Sequence, residues 1–120
     1  MTALEVVNKF YDSIFNLKGD RLADIINEDV TFNGPFFKAN GSKEFLEGMQ
    51  RWAQLKKTYK TLKQFVDENN VCTIYTLNIV SPSGDIVTWD GVDWMEVSEG
   101  KLMNVKIYFD PREWAKAIGK

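Results

Sequence analysis

The spacing of hydrophobic residues changes near Thr58 from a mainly helical period to a strand period. Before that point Leu4, Val7, Tyr11, Ile14 and Phe15 recur at three- and four-residue intervals, with Phe10 and Leu17 widening the stripe. That spacing puts them on one face of a helix. Thr2-Ala3-Leu4-Glu5 matches a capping box, in which hydroxyl and carboxylate each satisfy an amide the helix leaves unpaired, and the helix should end near Lys18-Gly19. Asp20 is placed to cap a second, shorter helix through Leu22, Ile25 and Ile26. Asn27-Glu28-Asp29 then reads as a turn and Val30-Thr31-Phe32 as a strand. Asn33-Gly34-Pro35 breaks the strand, and Asn40-Gly41 leads into a third helix from Ser42, its expected cap, to about Lys56. Phe45, Leu46, Met49, Trp52 and Ala53 form its inner side.

Beyond Thr58 the pattern predicts four strands, Tyr59 to Glu68, Val71 to Val80, Ile86 to Val97 and Lys101 to Phe109. Asn69-Asn70, Ser81-Pro82-Ser83-Gly84-Asp85 and Ser98-Glu99-Gly100 supply the hairpin turns. Asp110-Pro111-Arg112-Glu113 then opens a short final helix that ends at Gly119. Three helices, an antiparallel meander and a closing helix predict a single α+β domain over residues 1–120, with the helices packed on one face of the sheet.

One carboxylate interrupts this pattern. In the third strand the more apolar set is Val87, Trp89, Gly91, Asp93, Met95 and Val97, so Asp93 shares the core face. A carboxylate there must be hydrogen-bonded, protonated or facing a cavity, because burial of an unpaired charge is too costly to arise from packing alone. In the last strand Met103, Val105, Ile107 and Phe109 share a face, which places Asp93 near Ile107. In the second, Val71, Thr73, Tyr75, Leu77 and Ile79 do so, which brings Thr73 or Tyr75 beside it as a hydrogen-bond partner. Gly91, on the same face, leaves the room a pocket wall needs. Phe36, Phe37, Trp52, Trp89 and Met95 are large enough either to line such a pocket or to fill it.

Composition narrows the chemistry. The chain has 120 residues, a formal net charge of -2, no histidine and one cysteine. Without histidine, Ser-His, Cys-His and His-metal mechanisms are excluded, leaving carboxylates, Tyr, Lys, Arg, Cys72 and amides. Cys72 is read as structural, and a lone cysteine suits a reducing cytoplasm. The acidic pairs Glu28-Asp29 and Asp67-Glu68 lack an oxygen-ligand loop pattern, so neither a metal nor another cofactor is expected. The small net charge gives no case for a nucleic-acid partner, and no apolar run reaches the roughly 20 residues a membrane-spanning helix needs. Arg51, Lys56, Lys57, Lys60 and Lys63 form the densest basic region, read as a solvated face or the site of an anionic ligand or partner.

The order of these elements and their punctuation resemble the NTF2-like superfamily, specifically SnoaL-like and ketosteroid-isomerase-like proteins. The resemblance is carried by Phe10-Tyr11, Gly19-Asp20, Asp29-Val30-Thr31-Phe32, Gly41, Glu99-Gly100-Lys101-Leu102, Tyr108-Phe109-Asp110-Pro111 and Ile118-Gly119, and spans nearly the whole chain. It implies a curved sheet wrapped by helices into a cone that holds a small, largely apolar ligand. It also implies a homodimer through the outer sheet face, where Val92, Trp94 and Tyr108 would meet a partner. In the steroid isomerases an aspartate on this strand stays protonated and, with a first-helix tyrosine, donates to an enolate oxygen; the matching positions are Asp93 and Tyr11. The general base of those enzymes falls at Gly34, and the adjacent Asn33 cannot accept a proton, so steroid-isomerase activity is not expected. Histidine-dependent dehydratases are excluded, and the aspartate-arginine-aspartate set of the epoxide hydrolases lacks an inward arginine on the last strands. Cyclase-like members use a pocket aspartate as acid or base, a part open to Asp93 or, on some alignments, Asp110. The expected site is thus Asp93 and Tyr11 for chemistry, with Asn33, Phe36, Trp52, Tyr75, Trp89, Met95 and Ile107 around the ligand. The alternative is a non-catalytic binding or dimerisation module with a filled cone.

Overall fold

The computed structural model describes residues 1–15 and 19–119. The placement of Leu17, the helix end at Lys18 and the cap assigned to the Asp20 side chain lie outside what it describes. Helix α1 (Ala3–Phe15) opens on the expected capping box: the Glu5 amide donates to Thr2 Oγ1 at 3.2 Å and the Thr2 amide donates to Glu5 Oε1 at 3.2 Å. Its inner face buries Val6, Val7, Phe10, Tyr11 and Ile14. The second N-terminal helix is not an α-helix but a 3-10 helix, Gly19–Ile25, so two rather than three α-helices precede the meander. Seven residues before a strand suit the tighter coil, which advances further per residue.

Six strands, β1 (Ile26–Asn33), β2 (Lys38–Asn40), β3 (Lys57–Asp67), β4 (Asn70–Val80), β5 (Ile86–Ser98) and β6 (Lys101–Tyr108), form one sheet in the order β2-β1-β6-β5-β4-β3. All neighbours are antiparallel except β1 and β6, which run parallel. The expected turn at Asn27-Glu28-Asp29 lies inside β1. Pairing with β6 holds at Ile26 and from Thr31 to Asn33, and the polar triplet occupies the register shift between them, where the Asp29 amide donates to Asn27 Oδ1 at 2.8 Å. A second shift, between Glu96 and Val97 on the β5–β6 pair, turns Leu102 inward and leaves Met103 only half-buried, opposite to the simple alternation.

Helix α2 (Ser42–Ala53) starts one residue earlier than a Ser42 cap requires. Gly41, at φ 93°, is the cap position; its amide donates to Val30 and its carbonyl accepts from Phe45. The helix stops at Ala53 rather than Lys56 because its last turn tightens, and because Val80 draws the Lys56 carbonyl into the sheet at 2.9 Å. Lys57 Nζ donates to the carbonyls of Trp52 and Leu55 at 2.9 and 3.1 Å, taking up acceptors the helix end leaves free. The closing helix α3 (Arg112–Ala117) follows the Asp110 turn, in which the Arg112 amide donates to Asp110 Oδ1 at 3.1 Å.

The apolar interior is divided. One cluster joins α1, α2, β1 and the β5–β6 end that carries Met95 and Val105; the other gathers Tyr75, Leu77, Ile79, Val87, Trp89 and Trp114. Phe15, Trp52 and Tyr59 touch both. Gly48 illustrates how closely the first cluster is fitted: a Cβ there would lie 2.1 Å from Phe37 Cζ, and that ring packs on Phe32 at 5.2 Å.

Gly48→Ala should therefore destabilise the fold by about 1–2 kcal/mol, since overpacking outweighs a gain in helix propensity of about 1 kcal/mol. In a Phe37→Ala background the same change should become stabilising. Chemical denaturation of the four proteins checks that reversal of sign.

Candidate functional site

Strand β5 brings Asp93 into the space between the two apolar clusters, opposite Thr73 on β4 and Ile107 on β6, and only 4% of its surface is exposed. The Tyr11 hydroxyl, from the buried face of α1, donates to Asp93 Oδ2 at 2.7 Å. Thr73, the directly opposite residue, does not serve: its hydroxyl accepts instead from Gln64 Nε2 at 3.1 Å. Oδ1 of Asp93 is buried without a hydrogen-bond partner among the described residues. Burial pushes the Asp93 pKa up to about 7, although the Tyr11 and Tyr75 hydroxyls both act to lower it. The Tyr11 phenol is pushed upward in turn by burial and by the neighbouring carboxyl, so it remains a donor at any ordinary pH.

Gly91 determines where Tyr75 stands. The two are paired across β4 and β5, and a Cβ on Gly91 would lie 2.5 Å from the Tyr75 hydroxyl. The missing side chain thus makes room for a phenol rather than for open pocket wall, which corrects the expectation drawn from the sequence. Because Gly91 lies midway between Trp89 and Asp93 on one face of β5, the Tyr75 hydroxyl rests between them. It leans toward the Asp93 carboxyl and the Trp89 indole without closing a full hydrogen bond to either. Among the described residues Trp89 Nε1 is the other buried side-chain polar atom without a partner.

These groups border a cavity of about 440 Å³. Phe36, Trp52, Tyr75, Trp89 and Ile107 line it together with Tyr11 and Asp93. Asn33 and Met95 do not. Asn33 is exposed at the end of β1, where Gly34 and Pro35 turn the chain, and Met95 is fully buried in the first cluster, one residue pair beyond Asp93. Asp110 lies away from the cavity in solvent, its carboxylate held by the Arg112 guanidinium at 2.5 Å and its pKa lowered by that contact. The large aromatic residues stand around the space rather than meeting across it. Trp89 stacks on Phe109 at 4.4 Å, and Phe36 rests against Phe109 at 6.3 Å.

Tyr59 and Phe15 are wall residues that the sequence reading did not select. Their rings stack at 4.2 Å and 8°, and Tyr59 also covers Tyr11 at 5.2 Å. The signal for Tyr59 was weak because β3 is polar and mostly exposed along its length. Among the described residues no group of three or more His, Cys, Asp or Glu side chains is placed to hold a metal ion. What the arrangement offers chemically is one carboxyl poised to give or take a proton in a largely dry space, with one phenol fixed as its donor.

The raised Asp93 pKa has a consequence for stability. Between the ordinary carboxylate value of 3.8 and about 7 the folded state holds a proton that the unfolded state has released. Stability from this group is full below the lower value and is lost as pH rises through the upper one, by an amount on the order of 4 kcal/mol. Denaturation of wild type and Asp93→Asn from pH 4 to 8 should show wild type losing stability relative to the variant over that window, with a constant difference above it. Gly91→Ala, by displacing Tyr75, should cost about 1–3 kcal/mol at any pH in the same assay.

No curated protein sequence matches the chain. Among solved structures, an NTF2-like protein of unknown function from Cytophaga hutchinsonii is similar at 27% identity and a TM-score of 0.80, covering 95% of each chain. An LEH-like epoxide hydrolase of M. tuberculosis is similar at 19% identity and a TM-score of 0.82, covering 97% of this chain and 88% of that one. A protein described as a SnoaL-like polyketide cyclase, from Jannaschia, is similar at 16% identity and a TM-score of 0.78, covering 97% and 90%. The last two likenesses concern the fold alone. The SnoaL-like domain profile matches residues 7–105, from within α1 to within β6, and so takes in both Tyr11 and Asp93. The chain belongs to the SnoaL-like family of the NTF2-like superfamily.

Proposed function

We propose that residues 1–120 act as one SnoaL-like domain that binds a small, largely apolar carbonyl or ring compound in a cone-shaped pocket. The observation that carries this reading is a carboxyl with a pKa near 7 bordering an aromatic-lined cavity of about 440 Å³. In its neutral form Asp93 donates to a ligand carbonyl oxygen, and Tyr11 holds Oδ2 in place while it does so. Enolisation, ring closure or elimination next to that carbonyl would be cofactor-independent isomerase, cyclase or lyase chemistry. Among the described residues Asp93 is the only carboxylate along the cavity wall, so the same group would have to give and recover the proton. The names of the same-fold cyclase and epoxide hydrolase are compatible with small organic substrates. A filled, purely structural cone is the less favoured reading, because the large wall residues leave the space between them.

The reading extends to a cytoplasmic homodimer. Phe65, Trp94 and Tyr108 are 55%, 44% and 55% exposed, and they border a groove of about 380 Å³ with Val92 on the outer sheet face. Apolar side chains gathered in this way suit a self-complementary contact. No helix among the described residues is long and apolar enough to cross a membrane.

Acetonaphthone, a fused-ring ketone that can only accept a hydrogen bond, tests the pocket by calorimetry. Wild type should bind it below pH 6 and lose about tenfold in affinity by pH 8, as Asp93 gives up its proton. Asp93→Asn should show no such pH dependence; an unchanged profile in the variant would remove Asp93 from the site. Sedimentation should find a dimer that Trp94→Glu dissociates, and a wild-type monomer at every concentration would reject the interface.

A further inference from the structure

The polarity of the cavity is uneven, and its unevenness constrains the ligand beyond the ring ketone considered above. Among the described residues, two of its wall residues carry formal-charge groups, Asp93 and Arg51. Asp93 is buried and its carboxyl pKa is pushed up to about 7, whereas Arg51 is exposed. The two therefore mark opposite surroundings within one site, an interior that is dry and acidic and a rim that is wet and cationic.

Arg51 lies in the last turn of α2, one turn after Gly48, and its guanidinium carbon stands 5.7 Å from the centroid of the Phe37 ring. That ring is itself held in place, since it occupies the space a side chain at Gly48 would need and packs on Phe32. The arginine is thus rested on a fixed aromatic platform at the cavity wall. Among the described residues no carboxylate is paired with it. The other basic side chain at this helix end, Lys57, is differently engaged: its ammonium is taken by two helix carbonyls and lies 5.5 Å from the Trp52 ring centroid. Among the described residues none accepts from Arg51, whose N–H donors are left for solvent or for a ligand.

We infer that the natural ligand is an organic anion, a ring compound whose carbonyl end reaches Asp93 and whose carboxylate or equivalent anionic group remains at the mouth on Arg51. This rests on the reading of the cavity as a ligand pocket and names the substrate class for it. An anionic group at the rim keeps most of its hydration, so no large desolvation cost opposes binding. A guanidinium matches its two oxygens in a planar fork. The apolar body crosses the aromatic walls between the two ends. Orientation follows from the same asymmetry, because a carboxylate directed inward would meet Asp93 in a space with no countercharge.

The test compares acetonaphthone with the same ketone bearing a carboxylate on the ring remote from the acetyl group, by calorimetry at pH 6 and low ionic strength. The carboxylate should bind about fivefold to tenfold more tightly, a modest factor because the contact is exposed, and added salt should shrink the preference. Arg51→Gln should abolish the preference; Lys56→Gln should preserve it. Equal or weaker binding of the carboxylate, a preference that survives Arg51→Gln, or one lost equally in Lys56→Gln would each overturn the inference. If acetonaphthone binds and the carboxylate gains nothing, the pocket reading stands and only the anionic ligand is rejected. If neither probe binds, both fall together.

Discussion

A carboxyl group held by a phenol and, among the described residues, not by a cation is the constraint around which this molecule is arranged. Asp93 has given up its hydration, and the Tyr11 hydroxyl at 2.7 Å returns only part of what water supplied. The balance shifts toward the neutral acid, since desolvation acts on the charged form and no guanidinium or ammonium of the described residues opposes it. For that balance to persist, α1 must deliver Tyr11, β4 must deliver Tyr75, and β5 must lack a side chain at Gly91 so that the second phenol has somewhere to rest.

The same constraint accounts for the divided core. Filling the space in front of Asp93 with aliphatic side chains would bury more apolar surface, yet the wall is made of rings that pack on one another around the space. Phe15 on Tyr59 and Trp89 on Phe109 are close stacks of 4.2 and 4.4 Å. Such stacks give rigid walls. Rigid walls preserve a cavity that flexible side chains would collapse into, which is how the packing of the interior becomes a binding property.

Long, regular elements were legible in the sequence, and irregular ones were not. The alternation in β5 placed Asp93 on the inner face and beside Ile107, as the registers have it, because eleven consecutive β4–β5 pairs leave no room for a slip. Alternation failed at Leu102 and Met103, where a bulge inserts a residue that no periodic pattern signals. The three-residue strand β2 and the 3-10 geometry of Gly19–Ile25 were too short to carry a period at all. Within the site, residues on strongly alternating strands were found, while Tyr59 was overlooked because β3 is mostly exposed, and Arg51 because a charged residue beside the apolar stripe of α2 reads as solvated. Gly91 was noticed for the right reason, missing volume, but which neighbour claims that volume depends on a cross-strand phenol that only the paired sheet places. Asn33 was selected by its adjacency to Gly34, and chain adjacency does not carry a side chain around a turn.

The account stands or falls on the protonation state of Asp93. Carbon-13 NMR of the protein labelled at aspartate carboxyls, with Asp93→Asn used to assign the resonance, follows that state directly across pH. A midpoint near 7 is predicted. A midpoint at or below the ordinary carboxylate range would contradict it, because Asp93 would then be an ionised, solvated group and the cavity would hold no acid to offer a ligand.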